Sequence, residues 1–562
     1  MINKVFLFLT LAFVFITLLP FFSDRPVIGY SIYSSSPPGA GDLMTHYSRT
    51  KLYSESFSAW GVWNQYWHMG YSEYTFYAPF AHYVTMILSF IFGLPIAFNL
   101  SIILASVLSF LTCFLLLKLF VKDTLIRLGL SLLYAYSPFS IFWLLSRYQE
   151  AFAWALIPLF LYFLFKNHLS ISIFFFSIIF LTHTLPSIIL GLFTILYLRK
   201  TYKQVLRFGM LTFLVVSFWL IPALGFLNYT SLGNVPHEFR LNEFVQVLIL
   251  SFVLILFIIF LQFSKFKMPY SIKLFSLTQL MFSILYLTNV IYYLPFLKGI
   301  HGGIIEFGLQ FSLILIIACV LNEIKELNWL KIISTIFLLF ILISYFVGVK
   351  FNYLFPSVLY YDEHPLYNEL SNISDFLKAK PFSRVAVDLN TDFFPVGFLG
   401  INKIMTNGMT NTYPPGIAEP SINYSFDLGK PFSRCDELFN LSEKTGTGFY
   451  LALSDEYKRF LRGCSLNETV YHNFSLFYYK DISISSGCDV ININNTEIIL
   501  NSSGRCELKV NYFPRWRGAD ITNNKPFIAL NKEGLVKINY EPHLFDYIGW
   551  SLTVIGLTLL FA

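Results

Sequence analysis

"YAPFAHYVTMILSFIFGLPIAFNLSIILASVLSFLTCFLLLKLFV", Tyr77–Val121, is the stretch on which the fold turns. It contains enough apolar residues for two membrane spans, since one takes about 20. Two spans would leave Lys122 and Arg127 outside, against the tendency of Lys and Arg to collect on the cytoplasmic face. A re-entrant or interfacial helix over Ala78–Leu94, followed by one crossing from Ile96 to Val121, puts both basic residues inside instead. Leu128–Leu145 then returns the chain to the outer face at "SRYQE", Ser146–Glu150. The same reading splits Leu169–Leu198 into two short spans that turn outside at "THTLP", Thr182–Pro186. Pro186 and the polar triplet Thr182-His183-Thr184 favour a break there.

Composition agrees with a membrane protein. The chain has 562 residues, 56% hydrophobic and 13% charged, with a mean hydropathy of +0.60. Soluble proteins carry about 25% charged residues. The 63 Phe and 35 Tyr suit helices in lipid with aromatic belts at the interfaces. The net charge of +6 is spread over short loops and forms no basic stripe, which argues against nucleic acid as a partner. Val5–Phe22 is uncharged and is followed by no small-x-small cleavage site, so it reads as a retained helix. Apolar runs continue to about Gly348, a polar segment fills Lys350–Asp546, and Tyr547–Ala562 closes the chain. The expected division is a transmembrane domain over 1–349 with a first outer loop at 24–95, an ectodomain over 350–545, and a last transmembrane helix over 546–562. This is a polytopic α-helical membrane protein of about twelve transmembrane helices, with both termini cytoplasmic.

The polar segment has the marks of an extracytoplasmic domain. Cys435, Cys464, Cys488 and Cys506 fall within it and suggest two disulfides, with three pairings open. Cys113 and Cys319 lie in apolar runs and read as small buried hydrophobes. N-glycosylation sequons begin at Asn228, Asn372, Asn423, Asn440, Asn467, Asn473, Asn494 and Asn501, all on the side opposite the basic groups. "SRVAVDL", "FYLAL", "SLFYYKDISIS", "EIILNSS" and "CELKVNYFP" read as strands, making the domain mainly β, the last two resembling a small sandwich edge. No nucleotide loop, HExxH or GxSxG occurs in the chain.

Several ionisable groups then share the outer face. Asp42 and His46 stand in "GDLMTHYSR", Gly41–Arg49; Arg147 and Glu150 in "SRYQEAFAW"; His183 at the short turn; His301 and Glu306 in "KGIHGGIIEFGLQF"; Arg240 in "PHEFRLNEF". Charges at a membrane boundary are costly and point to function. The blander readings are a solvated or helix-capping Asp42, a structural Arg147–Glu150 pair, a helix-end His183, and Trp60, Trp63 and Trp67 as interface anchors. Chemistry favours a site: a carboxylate can act as base or hold a divalent metal such as Mg or Mn, while Arg or His holds a phosphate.

Taken together, a long N-terminal helix, an acid soon after it, a run of spans and a β-rich C-terminal ectodomain resemble the GT-C class of membrane glycosyltransferases, over about residues 1–350. "SRYQEAFAWALIPL" resembles the second acidic motif of oligosaccharyltransferase catalytic subunits. "GDLMTHYSR" and "GYSEYTFYAPFAHYV", with "RYQE" and "LTHTLPS", are more similar to prokaryotic 6-pyruvoyl-tetrahydropterin-synthase-related and YfhO-type membrane proteins. The resemblance implies an outward-facing site that takes a sugar from a polyprenyl-phosphate lipid donor, with membrane lipids around it. It gives Asp42 the place of general base or metal ligand and Glu150, with Arg147, that of the second acidic motif. His183 joins the catalytic set; His46, Arg147, Arg240, His301 and Glu306 are expected to bind substrate; Asp42 and Glu150 would hold any metal. Neither place contains Asp-x-Asp and the ectodomain lacks WWDYG, which separates the chain from transfer of N-glycans to protein. The expected setting is an archaeal plasma membrane. The rival functions are a membrane scaffold presenting a glycosylated ectodomain to protein partners, and a transporter of lipid-linked substrates. A transporter should carry polar residues and broken helices near mid-span in both halves, whereas the polar residues here cluster at one face.

Overall fold

The computed structural model describes residues 42–56, 61–66, 70–73, 75, 77–136, 140, 148–229, 231–232, 241–263, 268–294, 297, 300, 302–323, 366–379, 383–388, 399, 412–413, 434–518, 521–524 and 527–562. It opens with α1, Asp42–Glu55, and an antiparallel hairpin of β1, Val62–Asn64, and β2, Tyr71–Glu73. Gly70, at φ +94°, precedes β2, and a Cβ there would come within 2.4 Å of the Trp63 indole. Backbone conformation and space therefore both demand glycine.

The decisive stretch resolves into α2, Phe80–Phe92, and α3, Leu94–Leu117, separated by Gly93. Pro95 sits in the first turn of α3, where its missing N–H loses no helical bond. At about 1.5 Å per residue, α2 spans roughly 20 Å and falls short of a hydrocarbon core of about 30 Å, whereas α3 exceeds it. Ile87, Phe90, Ile91 and Phe92 are exposed on the second half of α2, as suits a helix set into lipid.

The bundle continues with α4, Thr124–Tyr136; α5, Tyr148–Phe165; α6, Leu169–Thr182; α7, Thr184–Leu198; α8, Tyr202–Gly225; α9, Leu241–Phe263; α10, Tyr270–Leu287; and α11, Gly302–Glu323. Among the described residues, six helices are long and apolar enough to cross a membrane: α3, α5, α8, α10, α11 and the C-terminal helix Leu544–Phe561. α2, α4, α6, α7 and Phe244–Ile259 of α9 are shorter apolar helices. The protein is thus a polytopic helical membrane protein, and twelve is not the number of described spans. The N-terminal helix expected at Val5–Phe22 lies outside the described residues. The helix expected at Leu128–Leu145 begins earlier, at Thr124, and is described as far as Tyr136; most of its second half lies outside the described residues.

The short pair α6 and α7 folds back at His183, the one extended residue between them. The Phe165 ring at the end of α5 meets Phe193 and Tyr197 near the end of α7, at 6.3 and 5.6 Å. At the same end of the bundle the Lys122 N–H donates to Asn322 (3.1 Å) and Arg207 to Ser170 (3.0 Å). Lys118, Lys122, Lys166, Arg199 and Lys200 follow helix ends there and Arg127 stands in the first turn of α4, while Glu150, His183 and Gly302 lie at the opposite end.

The polar C-terminal region holds more helix than its strand pattern suggests. α12, Tyr367–Lys378, buries Leu370, Ile373 and Leu377 at helical spacing. Between α8 and α9 lies β3, Ser231–Leu232. After α12 come β4, Arg384–Val387; β5, Thr412–Tyr413, which pairs with β3; α13, Cys435–Thr445; β6, Thr447–Ala452; α14, Asp455–Gly463; β7, Asn467–Val470; and β8, Ser475–Tyr478. One sheet runs β4-β6-β8-β7, with β4 and β6 parallel. The other consists of β9, Ser485–Ile493; β10, Glu497–Asn511; β11, Trp516–Gly518; β12, Ile521–Asn524; and β13, Phe527–Tyr540, in the order β11-β13-β10-β9 with β12 also on β13. "EIILNSS" and "CELKVNYFP" are therefore one continuous strand, β10, rather than two edge strands. The turn-forming residues between them are absorbed by a register shift against β9.

Disulfides join Cys435 to Cys464 and Cys488 to Cys506, while Cys113 and Cys319 are free and buried. Asn228, Asn372, Asn440, Asn467 and Asn501 are exposed. Asn473 and Asn494 are half-buried, the amide of Asn473 donating to Glu369 (2.7 Å). Asn423 lies outside the described residues. The last helix, α15, Leu544–Phe561, packs on α8 through Gly549 and Gly556, where added Cβ atoms would approach Ser217 O and Leu214 Cβ at 2.6 Å. Small residues at this seam let the two backbones come close.

Candidate active site

α1 starts at Asp42, so the stretch read as a loop is helical from its acid onward. Position 46 is one turn further, and the two share a helix face. The Asp42 side chain itself lies outside the described residues. His46 is buried, with its ring 5.3 Å from that of His82 on α2 and 5.6 Å from that of Tyr148 at the start of α5. His82 Nδ1 lies 2.8 Å from the Thr50 hydroxyl, which ties α2 to α1. The Tyr148 hydroxyl donates to Ala81 O (2.9 Å) and lies 3.1 Å from the Ser101 hydroxyl, and Gln149 donates to Ala78 O (2.9 Å). The start of α5 is thereby held against α2 and α3 by polar contacts that an apolar bundle makes only where the groups are satisfied.

Glu150 stands in the first turn of α5, where the positive end of the helix dipole suits a carboxylate. It is buried, and its Oε1 lies 3.6 Å from His183 Nε2. Two outer-face stretches chosen from sequence, the acidic "SRYQE" and the turn "THTLP", therefore meet. One turn beyond Glu150, Trp154 stacks on Phe307 at 4.4 Å. That contact brings Glu306, also buried, to the same end of the bundle. Arg147, Arg240 and His301 lie outside the described residues.

The pattern search missed a second pair. Arg49 Nε is 3.3 Å from Glu73 Oε1, both side chains almost wholly buried (2% and 0% exposed). Asn64 donates to Glu73 (3.0 Å), Tyr71 donates to it as well, and the Arg49 guanidinium lies 4.1 Å from the Tyr77 ring centre. Burial, followed by the neighbouring Glu73 carboxylate, pushes the Tyr71 phenol well above its ordinary range, so it stays a donor. Arg49 ends "GDLMTHYSR" and Glu73 stands in "GYSEYTFYAPF"; a lone opposite charge in each of two aromatic stretches was the available signal. Trp63, read as an interface anchor, is instead fully buried against the C-terminal sheet, 5.2 Å from Trp516.

A divalent ion such as Mg takes about six ligands, mostly oxygen. Glu150 and His183 form a smaller set, and among the described residues no three His, Cys, Asp or Glu side chains are grouped to hold one. No step proposed below uses a metal.

No protein-family model matches the chain, and no curated protein matches it in sequence. Solved structures do resemble it in fold. The arabinofuranosyltransferase AftD from Mycobacteria matches 95% of this chain with a TM-score of 0.51 and 12% identity. This chain covers 40% of AftD. ArnT from Cupriavidus metallidurans matches 85% of this chain and 98% of its own, at 12% identity and a TM-score of 0.46. The archaeal oligosaccharyltransferase AglB from Archaeoglobus fulgidus matches 79% of this chain and 69% of its own, at 12% identity and a TM-score of 0.44. The likeness to AftD supports the GT-C-type membrane fold expected from sequence; the nearer YfhO-type resemblance rests on the motifs alone.

Proposed function

We propose that the protein is a membrane glycosyltransferase that moves a sugar from a polyprenyl-phosphate-linked donor to a lipid-linked glycan, a surface glycan or a protein. The observation that carries this reading is the convergence of α1, the start of α5 and the α6–α7 turn, with His46 against Tyr148 and Glu150 beside His183. A sugar on a lipid phosphate sits in the headgroup layer while its tail stays in the bilayer, so a buried carboxylate at the helix ends suits it. The likeness in fold to an arabinofuranosyltransferase agrees with it.

In this reading Asp42 is the general base. It takes the proton of the acceptor hydroxyl as that oxygen bonds to the anomeric carbon of the donor sugar. The bond from that carbon to the phosphate oxygen breaks, and polyprenyl phosphate leaves with the electron pair. Glu150 and His183 shape the sugar site, Arg147 or Arg240 holds the phosphate as a bidentate partner, and His46, His301 and Glu306 border the substrate. The face is extracytoplasmic, the ectodomain is N-glycosylated, and the membrane is an archaeal plasma membrane. The test is transfer from a polyprenyl-phosphate sugar by purified, folded Asp42→Ala and Glu150→Gln proteins. The Asp42 variant should lose a factor of about 10²–10⁴, the usual contribution of a general base, and the Glu150 variant should also transfer more slowly than wild type. Transfer at the wild-type rate by either variant overturns the assignment.

A further inference from the structure

Arg515 follows Phe513 in the short connection from β10 to β11, far in sequence from the site. Its side chain is 1% exposed and touches three separate parts of the chain. Nε donates to Asp546 in the first turn of α15 (3.0 Å), and Nη2 donates to the other oxygen of the same carboxylate. Nη1 donates to Ser72 (2.9 Å) and Thr75 (2.7 Å), in and just after β2, and lies 3.3 Å from the Tyr540 hydroxyl. Between Ser72 and Thr75 stands Glu73, the buried partner of Arg49 on α1. Asn511 of β10 donates to Gly70 O (2.7 Å), and Trp63 of β1 packs on Trp516 and Phe513. The hairpin therefore belongs to two bodies at once: its one side is held by the C-terminal sheet and α15, and its carboxylate holds α1.

We propose that Arg515 is a positioning residue, which sets α1 through the β1–β2 hairpin by gripping Ser72 and Thr75 while Glu73 grips Arg49. The energetics favour this path over a merely local role. A guanidinium with five donors in a rigid fork can bind a carboxylate and two hydroxyls together, and Lys cannot reproduce that geometry. Breaking either buried ion pair leaves a buried charge, so neither end of the strut relaxes freely. The catalytic consequence rests on the proposed function, because α1 carries Asp42 and His46; the mechanical link does not.

The experiment uses the full chain in nanodiscs. Ser72→Ala/Thr75→Val removes the hairpin's grip while leaving Arg515–Asp546 and Arg49–Glu73 in place; Ser72→Thr/Thr75→Ser keeps both hydroxyls. Amide hydrogen exchange is read in 42–55, with 455–470 beside the other sheet, whose apolar side chains pack in a separate core, as the control. The first variant should raise exchange in 42–55 about tenfold with the control unchanged, and the second should restore the wild-type pattern. In a transfer assay the first variant should lower kcat and spare KM for the lipid donor, as loss of alignment predicts. Unchanged exchange in 42–55, or an equal rise in the control, overturns the proposal. Arg515→Gln provides the second reading: it should raise exchange in 42–55 above that in 455–470, and no difference between the two also overturns it. A wild-type protein that transfers no sugar would remove the proposed function but leave the exchange result to decide the link.

Discussion

The two sheets of the C-terminal region differ in where their ion pairs lie. The sheet β4-β6-β8-β7 with its helices wears its ion pairs outside: Arg462 meets Glu468 (2.7 Å), Lys480 meets Glu443, and Lys378 meets Asp375 (2.6 Å), each pair with at least one side chain half exposed. The sheet β11-β13-β10-β9 also has an exposed pair, Lys537–Glu497, but it adds Arg515–Asp546 inside, next to the equally buried Arg49–Glu73 that ties its hairpin to α1. Exposed pairs are screened by water and contribute little, whereas a buried charge stripped of its partner has nowhere to go. The first sheet meets α1 and α3 through apolar side chains such as Leu451 and Leu476. The second is tied to α15 and, through the hairpin, to α1 by buried charge.

Five measurements sharpen or break that contrast. The largest effect should come from Arg515→Ala, which leaves Asp546 buried and unpaired; thermal unfolding should show a loss of about 3–5 kcal/mol. A loss below about 1 kcal/mol would place that corner with the solvent-facing sheet. Removing Cys435–Cys464 by a double Ser substitution should cost about 2–4 kcal/mol, read by the same unfolding, since it closes a loop with a separation of 29 residues. Gly556→Leu forces α15 off Leu214 and should cost about 1–3 kcal/mol through overpacking; an unaltered melting temperature would show the α8–α15 seam to be loose.

The fourth concerns pH. His543 caps α15, accepting at Nδ1 from the Phe545 N–H (3.4 Å). Burial, and then the nearby Arg517 charge, hold it below its ordinary value of 6.5, so the unfolded chain binds its proton first. Its contribution is complete above pH 6.5 and declines as the pH falls through the folded value. His543→Asn should keep a cap and flatten this acid-side decline; an unchanged slope excludes the histidine as its source. The smallest effect should come from Arg462→Ala on the outer sheet, whose melting temperature should match the wild type within error.

Much of the fold was legible in the sequence. The apolar runs, the break at His183 just before Pro186 and the short α2 follow from residue counts and polar or proline signals set against a bilayer of about 30 Å. Helices within the polar region were hidden because β-branched and aromatic runs dominated the pattern, although Leu370, Ile373 and Leu377 already stood at helical spacing. The site was half legible. Glu150 and His183 could be assigned to one face from topology, and they do meet. Arg49, Glu73 and His82 were in view as letters, but no spacing rule joins residues 24 or 33 positions apart on different elements.

Sequence by itself determined that this chain enters a membrane, where it turns, and which end of the bundle collects basic residues. Those are consequences of hydropathy, charge and proline, which act locally along the chain. Only the tertiary structure decided that "GDLMTHYSR" is a buried helix rather than a wet loop, and that a C-terminal arginine and a first-loop hairpin share one hydrogen-bonded joint. Such pairings depend on desolvation and three-dimensional proximity, and a buried charge can find its partner more than 400 positions away.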